Sequence, residues 1–342
     1  TDAGGSATDI GDNALVFTLI SDINNDGTAV GTARIHAGPV EWRGYIRLDG
    51  DWLDIGGFGG GRTDARAINN LGVVTGNSRF TPTQSFGFRW STDTFEMEML
   101  FPPFGMSNAV GRDINDLGTV VGSASQSGNS TAVYWPAGSP YGINLNNHLP
   151  PDSGWTRLTS IIAIDQCGVV VGQGIREDRP GYFSGFMMVL PDHDQDADGL
   201  PDCWEAVGID TNNDGTIDLD LPAMGANPMR KDLFVEIDAM TGRAPAANVL
   251  SRVATAFAGA PVANPNGSTG VTLHAMVDET DLPLTEYPNS FADFDNNKAD
   301  HFGTPAERAD ANSAHILAAR KLAFRYCIFA NTYDNSSSSG LA

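Results

Sequence analysis

Four stretches of one chain read almost alike: INNDGTAVG at residues 23–31, INNLGVVTG at 68–76, INDLGTVVG at 114–122 and IDQCGVVVG at 164–172. Their first residues lie 45, 46 and 50 positions apart, and each follows the form Ile-Asn/Asp-x-x-Gly-x-x-Val/Thr-Gly. The polar pair and first Gly predict a tight turn, because Asn, Asp and Gly tolerate positive φ. The β-branched run behind it predicts a short strand, and the second Gly either ends that strand or lets a neighbour approach. An aromatic-bearing strand candidate follows each turn: Trp42–Leu48, Phe86–Trp90, Ala132–Trp135 and Tyr182–Leu190. A period of about 40–50 residues built from short strands is the pattern of a β-propeller blade. The expected fold class is therefore mainly β, with a propeller-like repeat domain over residues 1–190.

Composition agrees. The 342 residues include 39 Gly, and 20 Lys+Arg stand against 42 Asp+Glu, a formal charge of −22. Such a Gly-rich chain, with only 18% charged residues, suits short strands and many turns rather than a coiled coil, and its length allows two or three domains. Nucleic acid is excluded as a partner, since a polyphosphate needs a basic face. No run of 18 apolar residues exists, so no membrane span is expected. The opening TDAGGSATDIGD lacks a basic and then apolar stretch, which predicts no signal peptide, and the missing Met suggests a trimmed start. Cys167, Cys203 and Cys327 form no CxxC pair. That argues against a disulfide framework or zinc ribbon; one bridge stays open, and three isolated thiols are the favoured reading.

With its following Ala-x-x-Trp strand (AVYW, 132–135), the repeat resembles the HAF family of bacterial extracellular repeats over residues 1 to about 190. Four copies are few for a closed propeller of about 4–8 blades. Either the strand Ala14–Ile20 closes a small ring, or blades are missing upstream. An open array exposes a strand edge, which implies docking or self-assembly; a scaffold without a ligand of its own is the equal alternative.

Between Asp192 and Asp220 there are ten carboxylates and no Lys or Arg. In DQDADGLPDCWE, Asp194, Asp196 and Asp198 fall at positions 1, 3 and 5 of a twelve-residue loop, with Gly199 at 6. Leu200 offers a carbonyl at 7, Asp202 sits at 9 and Glu205 at 12. That is the ligand pattern of an EF-hand calcium loop. A second loop places Asp210, Asn212, Asp214, Thr216 and Asp218 at positions 1, 3, 5, 7 and 9, around Gly215. Its twelfth residue is Leu221, with Asp220 one out of step, so this second calcium site is expected to be weaker. The pair resembles the calcium-binding repeats of the thrombospondin type 3 and dockerin kind, and residues 191–228 are read as a calcium-stiffened hinge.

Residues 229–342 read as a small α/β domain. DLFVEID (232–238) predicts a buried strand, and Pro245–Ala258 a helix with Val249, Leu250, Val253 and Phe257 on one face. GVTLHAMVDE then predicts a second strand. Thr304, Pro305 and Glu307 form a capping box opening a helix to about Lys321, and FRYCIFANTY alternates like a strand. The ordered phrases DADGLPDCWE, KDLFVEIDAM, GVTLHAM and FRYCIFA resemble the opening of a family of secreted metzincin-like metalloproteases. The resemblance implies zinc-dependent peptide hydrolysis on an HExxH helix. No HExxH occurs here, and the six histidines (His36, His148, His193, His274, His301, His315) are never four apart. No catalytic residue carries over, and zinc belongs only to a longer form.

These features together predict an extracellular, calcium-stabilised structural or binding protein. Its partner would be another protein, a surface polymer or its own copies. The alternative is the N-terminal targeting portion of a secreted zinc metalloprotease whose HExxH helix lies beyond Ala342.

Overall fold

A computed structural model describes residues 15–35, 41–284, 286–287 and 292–333. Ala14, His36 and the N-terminal stretch read above lie outside the described residues. The chain divides into two compact units, Thr1–Leu190 and Pro191–Ala342.

In the first unit each repeat supplies its own antiparallel sheet, with strands in chain order. The first sheet holds β1 (Leu15–Ile23), β2 (Ala29–Ile35), β3 (Trp42–Leu48) and β4 (Asp51–Asp54). The second holds β5 (Thr63–Ile68), β6 (Val73–Arg79), β7 (Ser85–Ser91) and β8 (Met97–Leu100). The third holds β9 (Asn108–Ile114), β10 (Val120–Gln126), β11 (Asn129–Trp135) and β12 (Ile143–Asn144). The fourth holds β13 (Trp155–Ile164), β14 (Val169–Arg176) and β15 (Phe183–Val189). The predicted N-terminal strand is thus β1, paired with β2 inside the first sheet. Among the described residues no ladder joins the fourth sheet to the first.

The repeated motif straddles the first hairpin of every sheet. Its Ile closes the first strand, and the turn glycines Gly27, Gly72, Gly118 and Gly168 have φ between 72° and 89°. The second motif Gly meets a different demand. A Cβ on Gly31, Gly76, Gly122 or Gly172 would lie 1.9–2.2 Å from the carbonyl oxygen of Leu19, Asp64, Val110 or Ser160. Of its two predicted roles, close approach is the one found; the strand runs on through it.

Asn at the second motif position links one sheet to the next. Asn69 Oδ1 accepts the Leu71 and Val73 N–H groups of its own turn, while its Nδ2 donates to Asn115 O at 2.9 Å. Asn24 donates likewise to Asn69 O, and Asn115 to Asp165 O. Asp165, in the fourth copy, caps its turn through the Cys167 and Val169 N–H groups. A carboxylate has no N–H to pass on.

Between successive sheets lie three apolar layers. Val30, Ile46, Ile68, Phe88 and Trp90 fill the first, Leu100, Ile114, Val133 and Trp135 the second, and Tyr134, Leu158, Ile161 and Phe186 the third. Arg89 on β7 is buried and ties the second sheet to the third. Its guanidinium donates to Gly118 O, Ser139 O, Trp135 O and Pro136 O as well as to Glu98.

The second unit opens with the acidic loops and α1 (Asp202–Val207), followed by β16 (Asp232–Ala239), α2 (Ala247–Ala258) and β17 (Thr272–Val277). Then come β18 (Glu286–Tyr287), α3 (Ala292–His301), α4 (Pro305–Ala309), α5 (Ser313–Ala323), β19 (Phe324–Phe329) and β20 (Thr332–Tyr333). β16 lies between β17 and β19 in a parallel sheet, as a β-α-β crossover requires. β18 and β20 pair separately.

Two sequence expectations are corrected. The helix expected from Pro305 to about Lys321 is two helices. The capping box opens α4, but Asp310 is extended and its side chain accepts from the Asn312 N–H, so the polar run Asp-Ala-Asn-Ser interrupts the ladder. The expected α2 does form, and its apolar side is only partly covered: Val249 and Val253 are 43% and 39% exposed. Finally, Cys167 and Cys203 are disulfide-bonded and only Cys327 is a free thiol, so the three are not isolated.

Candidate metal centre

The first acidic loop is wound by its own side chains. Asp194 Oδ2 accepts the Gly199 N–H at 3.0 Å, Asp196 Oδ1 accepts the Asp198 N–H at 3.2 Å, and Asp198 Oδ1 accepts the Leu200 N–H at 2.8 Å. Gly199 at φ 94° and Ala197 at φ 59° make the reversals that turn these carboxylates inward. α1 then brings Glu205 round from the other side. Carboxylate oxygens of Asp194, Asp196 and Asp198 lie within 4.8 Å of one another, as do those of Asp198, Glu205 and Asp232. Asp198 belongs to both groups.

Asp232 is the residue sequence reasoning missed. It is the first residue of β16, and its N–H donates to Asp198 Oδ2 at 2.6 Å, fastening the loop to the sheet. Its own carboxylate meets His274 Nε2 at 2.6 Å and the Asn227 N–H at 2.8 Å, and the His274 ring stacks on Phe234 at 4.2 Å. The available signal was strand periodicity: Asp232, Phe234, Glu236 and Asp238 share one face, so the acids lie on the same side as a core Phe.

Asp202 is not brought into either group. Its oxygens accept the backbone N–H and the side-chain amide of Gln195, at 3.0 and 2.8 Å. Leu200 has a buried side chain beside the loop.

Burial without partners sets the chemistry here. Glu205 is 1% exposed and Asp196 2%. Both Glu205 carboxylate oxygens, and Asp196 Oδ2, have no hydrogen-bond partner. Desolvation and then the charges of Asp198, Asp196 and Asp232 push the Glu205 carboxyl up to about 9. Desolvation, then Asp198 and Asp194, raise Asp196 to about 7; mainly burial raises Asp198 to about 6. An unpaired buried carboxylate is strongly unfavourable, and either a proton or a cation relieves it. The donors are all oxygens, which suits a hard cation of the Ca²⁺ or Mg²⁺ type over a thiophilic metal. The buried acidic clusters can hold a metal ion.

The second loop repeats the backbone of the first without its convergence. Asn213 and Gly215 take positive φ where Ala197 and Gly199 do, and Gly215 N–H donates to Asp210 Oδ2 at 2.9 Å. Asn212 and Asp214 bond to each other, and Thr216 N–H donates to Asp214. Asp218 accepts from the N–H and hydroxyl of Thr211, as Asp202 does from Gln195. Among the described residues Asp210, Asp214 and Asp218 form no close group of three; Leu221, at position 12, is buried apolar side chain.

A third acidic group, Glu236, Asp238 and Asp278, lies at the far end of the same sheet face. It is largely paired already: Glu236 with Arg320 at 2.5 Å and the Gly303 N–H at 2.7 Å, and Asp238 with the Tyr326 hydroxyl at 2.8 Å. No protein-family model matches the chain, and no curated protein matches it.

Proposed function

We propose that this chain is an extracellular, calcium-stabilised structural or binding protein. The observation that carries the reading is Glu205, a fully buried carboxylate with two unpartnered oxygens, facing Asp198 and Asp232. Calcium suits the oxygen-only donor set, and Asp194, Asp196, Asp198, Glu205 and Asp232 are the side chains that would hold it. The second loop, lacking a carboxylate at position 12, would be the weaker site. Disulfide-bonded Cys167 and Cys203 favour an oxidising, extracellular setting, where free calcium is also plentiful. The repeat unit, read as a propeller-like array of the HAF kind, would present its strands to a protein or surface polymer.

The test is thermal unfolding of the full chain in calcium and in EDTA. Saturating calcium is expected to raise the Tm of the second unit by roughly 5–10 °C, the linkage expected when ligand exceeds Kd about a hundredfold. Glu205→Gln should lose most of that shift. Equal Tm values in calcium and EDTA overturn the reading.

A further inference from the structure

The first strand of each sheet in the repeat unit carries a register slip. In β1 it falls between Ile20 and Asp22, in β5 between Ala65 and Ala67, in β9 between Gly111 and Asp113, and in β13 between Ile161 and Ala163. The residues passed over are Ser21, Arg66, Arg112 and Ile162, each two positions before the motif Ile. A β-bulge re-aims the side chain of its extra residue. Here all four are aimed at one place, because these same residues line a single open cavity of about 260 Å³.

Two of the four are arginines, and among the described residues no carboxylate lines the cavity. Arg66 Nε donates to Asn77 Oδ1 at 3.0 Å, while Arg112 has no hydrogen-bond or ion-pair partner among the described residues. The acids next along the strands are committed elsewhere: Asp22 Oδ2 accepts the Ile68 N–H at 2.9 Å, and Asp113 Oδ2 the Ile164 N–H at 2.8 Å. Arg112 is reached by solvent, yet surrounding protein first and the like charge of Arg66 second hold its guanidinium below its ordinary value. In a chain of charge −22, two facing arginines with no ion-pair partner among the described residues do not stabilise the fold.

We propose that this cavity binds a small oxyanion. A guanidinium presents paired N–H donors that match carboxylate, phosphate or sulfate oxygens. Ser21 adds a hydroxyl and Ile162 an apolar wall. The negative charge of the molecule as a whole disfavours a polyanionic polymer, so the ligand is a small molecule or a single acidic group. This site is independent of the calcium reading.

Isothermal titration of the full chain, in constant calcium, compares sulfate and succinate against chloride at equal ionic strength. Saturable heat with sulfate alone marks a tetrahedral oxyanion, and with succinate a carboxylate; either supports the site. Arg112→Gln is expected to weaken binding about tenfold, the loss of one charge-assisted hydrogen bond, and Arg66→Gln/Arg112→Gln to abolish it. Ile162→Glu keeps both arginines but supplies an internal carboxylate, and should abolish binding as well. Ile162 is exposed, so this variant is expected to fold even where loss of an arginine disturbs a bulge. No saturable heat with either anion in the unaltered chain overturns the proposal, as does undiminished binding in folded Ile162→Glu or in the double variant.

Discussion

Glu205 shows how one residue can set the conditions under which a unit is stable. Without a cation its carboxyl stays protonated up to about pH 9, with Asp196 up to about 7 and Asp198 up to about 6. In the unfolded chain the same carboxyls release their protons near pH 4. Between those limits the folded state binds more protons, so its stability falls as pH rises. In EDTA the Tm of the second unit should therefore decline from about pH 5 to about pH 9. Calcium displaces the same protons, so its affinity should climb over that window. Calorimetry in two buffers of different ionisation enthalpy checks this by counting protons released on binding; zero release near pH 7 contradicts the assignment. Asp232 makes the matching point for position. Asp232→Asn keeps the N–H to Asp198 and the place on β16 but removes a charge, and should weaken calcium binding about tenfold. An unchanged Kd would exclude Asp232 as a ligand.

At the scale of elements, the hairpins carry information in both directions. The motif's turn, its strand and its two glycines were legible because each answers to local chemistry that every copy repeats. The Asn-to-carbonyl links were not, since Asn was fully accounted for by the turn it caps. Asn69→Asp separates the two roles: the turn cap survives, but the donor to Asn115 O is lost at a buried position. Urea denaturation should show a cost of about 1–3 kcal/mol; no change would mean that the links between sheets are energetically idle. The acidic loops were legible by spacing as far as the residues whose backbone the loop itself shapes. Asp232, twenty-seven positions beyond Glu205, arrives through tertiary packing, and no spacing rule inside the loop announces it. The same limit explains Asp202: its position fits a ligand, but the Gln195 N–H groups claim its oxygens. In α2 the 3.6-residue period placed Val249 and Val253 on one face correctly; periodicity does not say whether anything covers that face.

The whole molecule divides its charge unevenly. The acidic segment gathers ten carboxylates with no Lys or Arg, while Arg66 and Arg112 make a small positive recess in the repeat unit. Every candidate calcium ligand belongs to the second unit, so chelation should act there alone. Limited proteolysis in EDTA, read by mass spectrometry, is expected to cut within residues 191–231 and to spare the sheets between residues 41 and 190. Equal cutting in both units would show that calcium supports more than its own surroundings. The apolar layers between sheets give the repeat unit its own internal support.

The hand-off of an amide from each copy to the following one gives the array a direction. A copy with Asn at this position can stand in front of any other, because it both finishes its own turn and reaches forward. A copy with Asp completes its own turn but has no amide N–H to hand on. When such a gene segment is duplicated, the Asn copies are interchangeable building stock, whereas a duplicate of the Asp165 copy fits only at the trailing end. The array can thus lengthen by inheritance from its front and middle, with a one-atom difference, nitrogen to oxygen, serving as its full stop.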